Sequence, residues 1–207
     1  MGALPLVWAV LGGCSGDPSP SQVPAAELTS GPLRWLMLPQ EEKEARGLRG
    51  RREATEFLDS FWGRRNPDPG SAANECARLF HERTAAADRL YGEGGTRGSL
   101  TDRGRALILL GPPPVLRYGQ RRLASWEPGH PGARPLVHSR LVTTETWIYP
   151  RAELSPELAA LLTPEVLPAG EPVALEFLSD SPHHTRLHEG EHVLELAARA
   201  LVRGGRQ

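Results

Sequence analysis

Apolar residues recur at helical spacing through the first part of this chain. Residues 51–65 repeat them at intervals of three and four, which predicts an amphipathic helix. A similar pattern predicts a second helix over 71–91, capped by Ser71, and the Asn-Pro-Asp-Pro-Gly segment at 66–70 predicts a turn that pairs the two as a hairpin. A shorter helix is expected over 39–46, where proline and acidic residues occupy the first turn. The inner face of the second helix is predicted to carry Ala72, Cys76, Leu79, Phe80, Ala87 and Leu90.

The second half of the chain changes to short apolar runs bounded by Gly, Pro or polar residues. These runs predict strands over 106–110, 143–149 and 173–178. Residues 112–135, rich in Gly, Pro and Arg, are predicted to form a long surface excursion. Further helices are expected over 155–162 and 193–202. Helices first and strands later predict an α+β fold, with an N-terminal helical hairpin packed on a small, mainly antiparallel sheet and a C-terminal helix.

The N-terminal segment resembles a bacterial lipoprotein leader. The apolar run 3–11 is too short to span a bilayer and is typical of a signal-peptide core. It leads into Leu-Gly-Gly-Cys14, which resembles a lipobox and makes the Cys14 thiol the expected lipidation site. The alternative is an ordinary apolar terminus with an incidental cysteine. The absence of Lys or Arg before the run supports this alternative, but the lipobox pattern outweighs it. We therefore expect a signal peptide over 1–14, a flexible tether over 15–32 and one domain over 33–207. Ser15 favours sorting to the outer membrane, facing the periplasm.

Charge and cysteine content narrow the function further. The formal net charge is -1, so bulk attraction gives no case for nucleic acid or anionic lipid as a partner. Lys43 is the only lysine, and the prevalence of arginine is attributed to genomic base composition, with no functional weight. After lipidation of Cys14, Cys76 would be the one remaining cysteine, which excludes an internal disulfide. Its position on a helical stripe predicts a buried, inert thiol.

Three segments together carry a family resemblance: Phe-Trp-Gly-Arg-Arg-Asn-Pro-Asp-Pro-Gly at 61–70, Gly-Ser-Leu-Thr-Asp-Arg-Gly-Arg at 98–105 and Thr-Glu-Thr-Trp-Ile-Tyr at 144–149. The chain resembles the GWxTD domain, a bacterial module named for its Gly-Trp-x-Thr-Asp turn, over roughly residues 38–188. Ser99 stands where the family name requires tryptophan. The resemblance implies no established biochemical activity.

The motif residues that match the family are Gly98, Thr101, Asp102, Arg103, Gly104 and Arg105. Thr101 or Asp102 is expected to hydrogen-bond to the turn backbone. Asp102 is also expected to pair with an arginine, and the candidates are Arg103, Arg105, Arg64 and Arg65. A structural charge-and-turn network is favoured here over a binding site.

The sharpest chemical motif is His-Glu-Gly-Glu-His at 188–192, which matches the pattern of zinc peptidases. On a helix, His188 and His192 would share a face and bind zinc, while Glu189 would activate water. Gly190 weakens a helix here, and the motif is predicted to straddle a strand-to-helix junction. Adventitious metal binding by a histidine-rich surface segment is the competing interpretation.

The residues favour a lipid-anchored envelope protein that acts by binding or assembly with an envelope partner, without catalysis or cofactor. A zinc-dependent hydrolase centred on Glu189, His188 and His192 is the first alternative. A glycan-binding module using the loop around Trp126 is the second, since aromatic side chains stack on sugars. The other candidates, Trp62 and Trp147, lie on periodic elements and are predicted to be core.

Overall fold

The computed structural model describes residues 25–71, 73–127, 136–181 and 183–204. In these residues the α+β prediction is confirmed, with seven α-helices and one four-stranded sheet. The helices are α1 (Ala25–Ser30), α2 (Pro39–Gly47), α3 (Arg51–Gly63), α4 (Glu75–Leu90), α5 (Asp102–Leu110), α6 (Pro156–Leu161) and α7 (Glu191–Gly204). Short 3₁₀ helices cover Pro32–Leu36, Gly98–Leu100 and Arg151–Glu153. The strands are β1 (Val115–Glu127), β2 (Leu136–Tyr149), β3 (Val173–Ser181) and β4 (His184–Glu189).

The sheet is an antiparallel meander in the order β1-β2-β3-β4. Alternate residues of β2 and β3 point to the helical layer, as the period of two in a strand requires. Trp147, Leu175 and Phe177 on this face are completely buried, so the core lies between the sheet and the helices. α5 covers the β4 side of the sheet, and α7 packs on α5.

The segment 106–110, predicted to be a strand, is the second half of α5. Its run of apolar residues is buried on nearly every side, and a short continuous run of that kind does not distinguish a buried strand from a buried helix. The helix forms because Thr101 caps it: the Thr101 side chain accepts a hydrogen bond from the amide of Gly104 at 3.1 Å.

The surface excursion predicted over 112–135 is also wrong for residues 115–127, which form β1. Each β1 residue has a partner in β2, from Val115 opposite Ile148 to Glu127 opposite Leu136. Gly119 lies opposite Thr144 in this register. A Cβ at position 119 would lie only 2.8 Å from Thr144 Oγ1, so glycine leaves room for the threonine side chain. The ladder with β2 supplies an order that the local composition does not indicate.

The tether predicted over 15–32 is wrong for residues 25–32. They form α1 and begin a 3₁₀ helix, and Leu28 is fully buried while Leu33 and Leu36 are nearly so. These leucines bury enough apolar surface to order the segment. Cys14 and the predicted signal peptide lie outside the described residues. None of the described helices combines the length and apolarity needed to cross a bilayer.

The N-terminal helices pack differently from a simple hairpin. α3 and α4 meet near their junction, where the Trp62 and Phe80 rings lie 5.4 Å apart, but α4 lies mainly along α5. Asn74, not Ser71, caps α4, and its side chain also donates to the Trp62 carbonyl at 2.8 Å. Leu90, predicted to face inward, is 65% exposed.

Candidate functional site

The Gly-x-x-Thr-Asp turn lies at the point where α4, α5 and the end of the sheet meet. Gly98 begins the 3₁₀ helix and Thr101 ends it, where the Thr101 hydroxyl donates to the Gly98 carbonyl at 2.8 Å. The same oxygen accepts from the Gly104 amide, so one threonine side chain closes the turn and starts α5. The expected hydrogen bond from the motif to the turn backbone is present.

Two glycines allow this turn to fit between the helices. A Cβ on Gly98 would lie 1.9 Å from the Ala87 carbonyl oxygen of α4, and one on Gly104 would lie 1.8 Å from the Gly98 carbonyl oxygen. Neither contact is sterically possible, and both neighbours are backbone atoms. The motif glycines therefore serve close backbone approach.

Asp102 does not form the ion pair expected with Arg64, Arg65, Arg103 or Arg105. Its Oδ2 accepts the amide hydrogen of Leu187 in β4 at 2.7 Å, a contact that links the first turn of α5 to the sheet. An acidic residue in a first helical turn also complements the helix dipole. The carboxylate serves as a connector between two elements that are far apart in sequence.

Arg103 belongs to a half-buried polar network beneath the sheet. Its Nη1 donates to Glu145 Oε2 at 3.2 Å, and its guanidinium lies 5.1 Å from the Tyr91 ring centroid. Glu145 also accepts from the Trp147 indole at 2.7 Å. Glu93 completes the set: its Oε2 accepts from the Thr185 amide at 2.7 Å, and its Oε1 lies 3.8 Å from Arg103 Nη2. Burial raises the pKa of Tyr91, and the negative charge of Glu145 adds to this.

The network joins α5 and the loop after α4 to β2 and β4. Its acids are held by arginine, indole and backbone donors. Arg105, on the neighbouring face of α5, pairs with Glu191 at 2.6 Å and lies 5.1 Å from the Trp35 ring. The motif arginines thus link separate elements of the domain.

The His-Glu-Gly-Glu-His segment does not form the helix that a zinc peptidase needs. His188 and Glu189 end β4, Gly190 has a φ of +103°, and His192 lies in the first turn of α7. This positive φ favours glycine at the junction, and a Cβ there would also lie 3.1 Å from the Ala174 carbonyl oxygen. The predicted strand-to-helix junction is confirmed, and the shared helical face of the two histidines is absent.

A looser acidic group surrounds His188 on the outer face of the sheet. His188 Nε2 lies 4.0 Å from Glu176 Oε2 and 3.9 Å from Glu189 Oε1. Arg121 from β1 contacts the same carboxylates, at 2.6 Å from Glu176 and 4.0 Å from Glu189. The guanidinium already provides the counter-charge that a metal ion would supply, so this cluster is an exposed ion-pair network.

The long β1 strand is the most exposed part of the sheet. Among the described residues no further strand pairs with its outer edge, which leaves a row of backbone donors and acceptors available. Leu116 and Tyr118 lie opposite Trp147 and Glu145, on the same face of the sheet as Trp147. Leu116 is 41% exposed and Tyr118 is 71% exposed. Leu141, on the adjacent strand, is 60% exposed. The hairpin formed by β1 and β2 therefore carries apolar side chains beyond the region that the helices cover.

A family model for the GWxTD domain matches residues 19–127. The chain belongs to this family. The match begins before the expected residue 38 and ends with β1, well before residue 188. Neither a curated protein nor a solved structure matches the chain.

The tryptophan of the GWxTD name is replaced here by a fully buried serine. Ser99 is inaccessible to solvent, and its hydroxyl has no hydrogen-bond partner among the described residues. The Ser99 amide donates to Asp88 Oδ1 at 2.7 Å, and its carbonyl accepts from the Trp35 indole at 2.9 Å. Burial acts to raise the pKa of Asp88, but hydrogen bonding by Ser99 and the Arg97 guanidinium outweighs it and lowers that pKa. In this GWxTD member an indole from the N-terminal 3₁₀ helix reaches the turn.

A second buried ion pair anchors the segment after α3. Arg65 is fully buried, and its guanidinium donates to both oxygens of Glu41, at 2.9 and 2.6 Å. Arg64 adds a further contact at 2.9 Å, and the Leu38 amide donates to Glu41 Oε2. Burial opposes ionisation of Glu41, yet the hydrogen bonds from Arg65 and Leu38 outweigh it and lower the carboxyl pKa.

The remaining sequence candidates divide between core and undescribed positions. Trp147 is fully buried, as predicted, and Trp62 is half-buried against Phe80. Burial raises the pKa of the Cys76 thiol, in keeping with an inert cysteine. The backbone of Trp126 lies in β1 rather than in a loop, and its side chain lies outside the described part of the chain.

Sequence reasoning missed Glu145, Glu93 and Trp35. One signal for Glu145 was available: it alternates with Trp147 and Tyr149, which are both core residues. A carboxylate at an inward-facing strand position is expected to have a buried hydrogen-bond donor or counter-charge. Glu93 and Trp35 come from loop and 3₁₀ segments with no periodicity to place them.

Proposed function

We propose that this GWxTD protein is a non-catalytic binding module of the cell envelope that takes up an extended segment of a partner protein along β1. The observation that carries the proposal is the open edge of β1, thirteen residues long, with Leu116 and Tyr118 exposed beside it. Addition of a strand to such an edge supplies backbone hydrogen bonds, and side-chain contacts on the flanking faces supply specificity.

The charge of the edge favours an acidic segment. Arg117 and Arg122 lie on β1 and form no ion pair with another described residue, whereas Arg121 is held by Glu176. Three arginines on β1 disfavour pairing of two copies of this strand, because like charges on adjacent strands repel. They favour a partner strand that carries Asp or Glu opposite them.

A binding role agrees with the way the charged groups of the family motif are used. Asp102, Arg103 and Arg105 each bond to another part of the same domain. Such contacts position the sheet and its exposed hairpin on the helical layer.

The location of the module is part of the proposal. We propose that Cys14 carries a lipid anchor and that the protein resides at the outer membrane, facing the periplasm. Metabolic labelling with a palmitate analogue tests this, and the Cys14→Ala variant is expected to lose both the label and the membrane fraction. Retention of either by Cys14→Ala would contradict the anchor.

The binding role is tested by quantitative co-purification from envelope fractions after in-cell cross-linking. The Leu116→Ser/Tyr118→Ser variant is expected to lose its partner, and the Leu90→Ser variant, which changes an exposed apolar residue on α4, is expected to retain it. Equal recovery with both variants would contradict the role of β1. A band at twice the monomer mass with no other protein would assign the edge to self-association instead.

A further inference from the structure

We propose that a cleft beside α4 binds a small amphipathic monocarboxylate, with the carboxylate on Arg83 and the apolar chain along the helix. The cleft has a volume of about 220 Å³ and lies between α4, the end of α5 and the C-terminal half of α7. Its apolar wall is formed by Cys76, Leu79, Phe80, Ile108 and Leu201. The proposal uses residues remote from β1 and stands independently of the proposed function.

Arg83 lines this cleft, beside Leu79, Phe80 and Ile108. Its Nη1 donates to the Ile108 carbonyl at 3.0 Å and so caps the C-terminal end of α5. Its Nε and Nη2 form no hydrogen bond with a described residue. These two groups are one edge of the guanidinium fork, which matches the two oxygens of a carboxylate.

The backbone leaves room for this guanidinium. Gly111 follows α5 with a φ of +84°, and a Cβ there would lie 2.9 Å from Arg83 Nη2. Any larger residue would press on the fork. The position therefore combines a conformation that favours glycine with space reserved for the arginine.

No described carboxylate neutralises Arg83. Burial lowers its pKa, and the acidic groups that act in the other direction are the Tyr149 phenol and the Cys76 thiol. Both are uncharged near neutral pH, since burial raises the pKa of each. A half-buried cation with neutral neighbours favours an anionic ligand.

The other charged groups that line the cleft are paired with an opposite charge or lie beside Gly204. Arg65 is paired with Glu41. Glu75 is paired with Arg78 at 2.5 Å, on the solvent side of α4. Glu157 lies at the far end, against Gly204, where a Cβ would be 3.6 Å from its carboxyl carbon.

The ligand class follows from the size and the single cation. A volume of about 220 Å³ suits a single acyl chain and excludes a nucleotide. One guanidinium edge matches one carboxylate, and the wall beside it offers only apolar contact. A fatty acid of medium chain length satisfies all three conditions.

The test is calorimetric titration of the full chain with decanoate, with decanol and acetate as ligands that lack the charge or the chain. Decanoate is expected to bind with one-to-one stoichiometry, and both controls at least tenfold more weakly. The Arg83→Gln variant is expected to lose at least tenfold in decanoate affinity, because the amide keeps a donor for Ile108 but offers no charged fork. The matched control is Arg89→Gln, an exposed arginine of the same helix that does not line the cleft, which is expected to bind decanoate normally.

A second variant keeps the test decisive if Arg83→Gln fails to fold. Leu79 lines the cleft, is half-buried and is not part of the packed core cluster, so Leu79→Ser is expected to remain folded and to bind decanoate several-fold more weakly. Equal binding of decanol and decanoate, or full affinity in Arg83→Gln or Leu79→Ser, would overturn the proposal. So would the lack of a saturable one-to-one phase in the unaltered protein.

Discussion

Replacing Gly104 by alanine sets helix propensity against packing. Gly104 lies inside α5, where alanine is intrinsically favoured over glycine by about 1 kcal/mol. The added methyl carbon would, however, lie 1.8 Å from the Gly98 carbonyl oxygen and 2.8 Å from its carbon. Those atoms belong to the backbone of the adjoining turn, which Thr101 and the Ala87 carbonyl hold in place, so no flexible side chain can yield.

The packing effect is expected to exceed the propensity effect. Insertion of a methyl group into a well-packed site costs about 1–3 kcal/mol and occasionally more. A contact of 1.8 Å with backbone lies at the severe end of that range, because α5 must shift away from the turn. The net loss in free energy of unfolding is therefore expected to be about 2 kcal/mol or more, which lowers the melting temperature of a domain of this size by about 4–8 °C.

Thermal and urea unfolding of Gly104→Ala measures this effect directly. Gly63→Ala is the matched control, since Gly63 is the last residue of α3 and a Cβ there would meet nothing within 4 Å. This control is expected to be neutral or to gain up to about 1 kcal/mol. Equal or greater stability in Gly104→Ala would refute the close approach of α5 to the Gly98 turn.

Three further predictions concern individual contacts. Glu41→Gln is expected to lower the free energy of unfolding by about 3–5 kcal/mol at neutral pH, because it leaves Arg65 buried without its counter-charge. The folded-state pKa of Glu41 is lowered, so the unaltered protein should lose this stabilisation as pH falls below the ordinary glutamate range. The acid unfolding curves of the two proteins should therefore converge. Asp102→Ala is expected to lower the free energy of unfolding by about 1.5–3 kcal/mol and to speed hydrogen exchange at the Leu187 amide. Asp102→Asn keeps an acceptor and should lose less stability. Equal exchange at Leu187 in the unaltered protein and both variants would contradict the hydrogen bond between α5 and β4. Zinc titration is expected to show weak binding that His192→Ala leaves unchanged; one tightly bound zinc, lost in both His188→Ala and His192→Ala, would restore the peptidase interpretation.

The parts of the fold that follow from local pattern were predictable. The amphipathic spacing of α3 and α7 and the short apolar runs of β2 and β3 identified those elements, because one face of each packs on the core. The errors arose where a distant partner decides the structure. The second half of α5, residues 106–110, is a continuous apolar run with no periodicity to reveal its type, and β1 is ordered by its ladder with β2.

The family motif shows the same division. Its threonine has a local role as a helix cap, which its spacing before Gly104 indicates. Its aspartate contacts the Leu187 amide, 85 residues away, and sequence reasoning placed it against a nearby arginine instead. Opposite charges close in sequence are a natural guess, but a backbone amide that needs an acceptor carries no sequence signature.

The most direct test of the binding role is site-specific photo-cross-linking in living cells. A photoreactive amino acid placed at Tyr118 or Leu116, on the exposed part of β1, is compared with the same group at Val166, an exposed apolar residue outside the sheet. The account predicts one partner protein cross-linked at both β1 positions through an acidic segment and absent at Val166. The same product at all three positions, or none at β1, would contradict it.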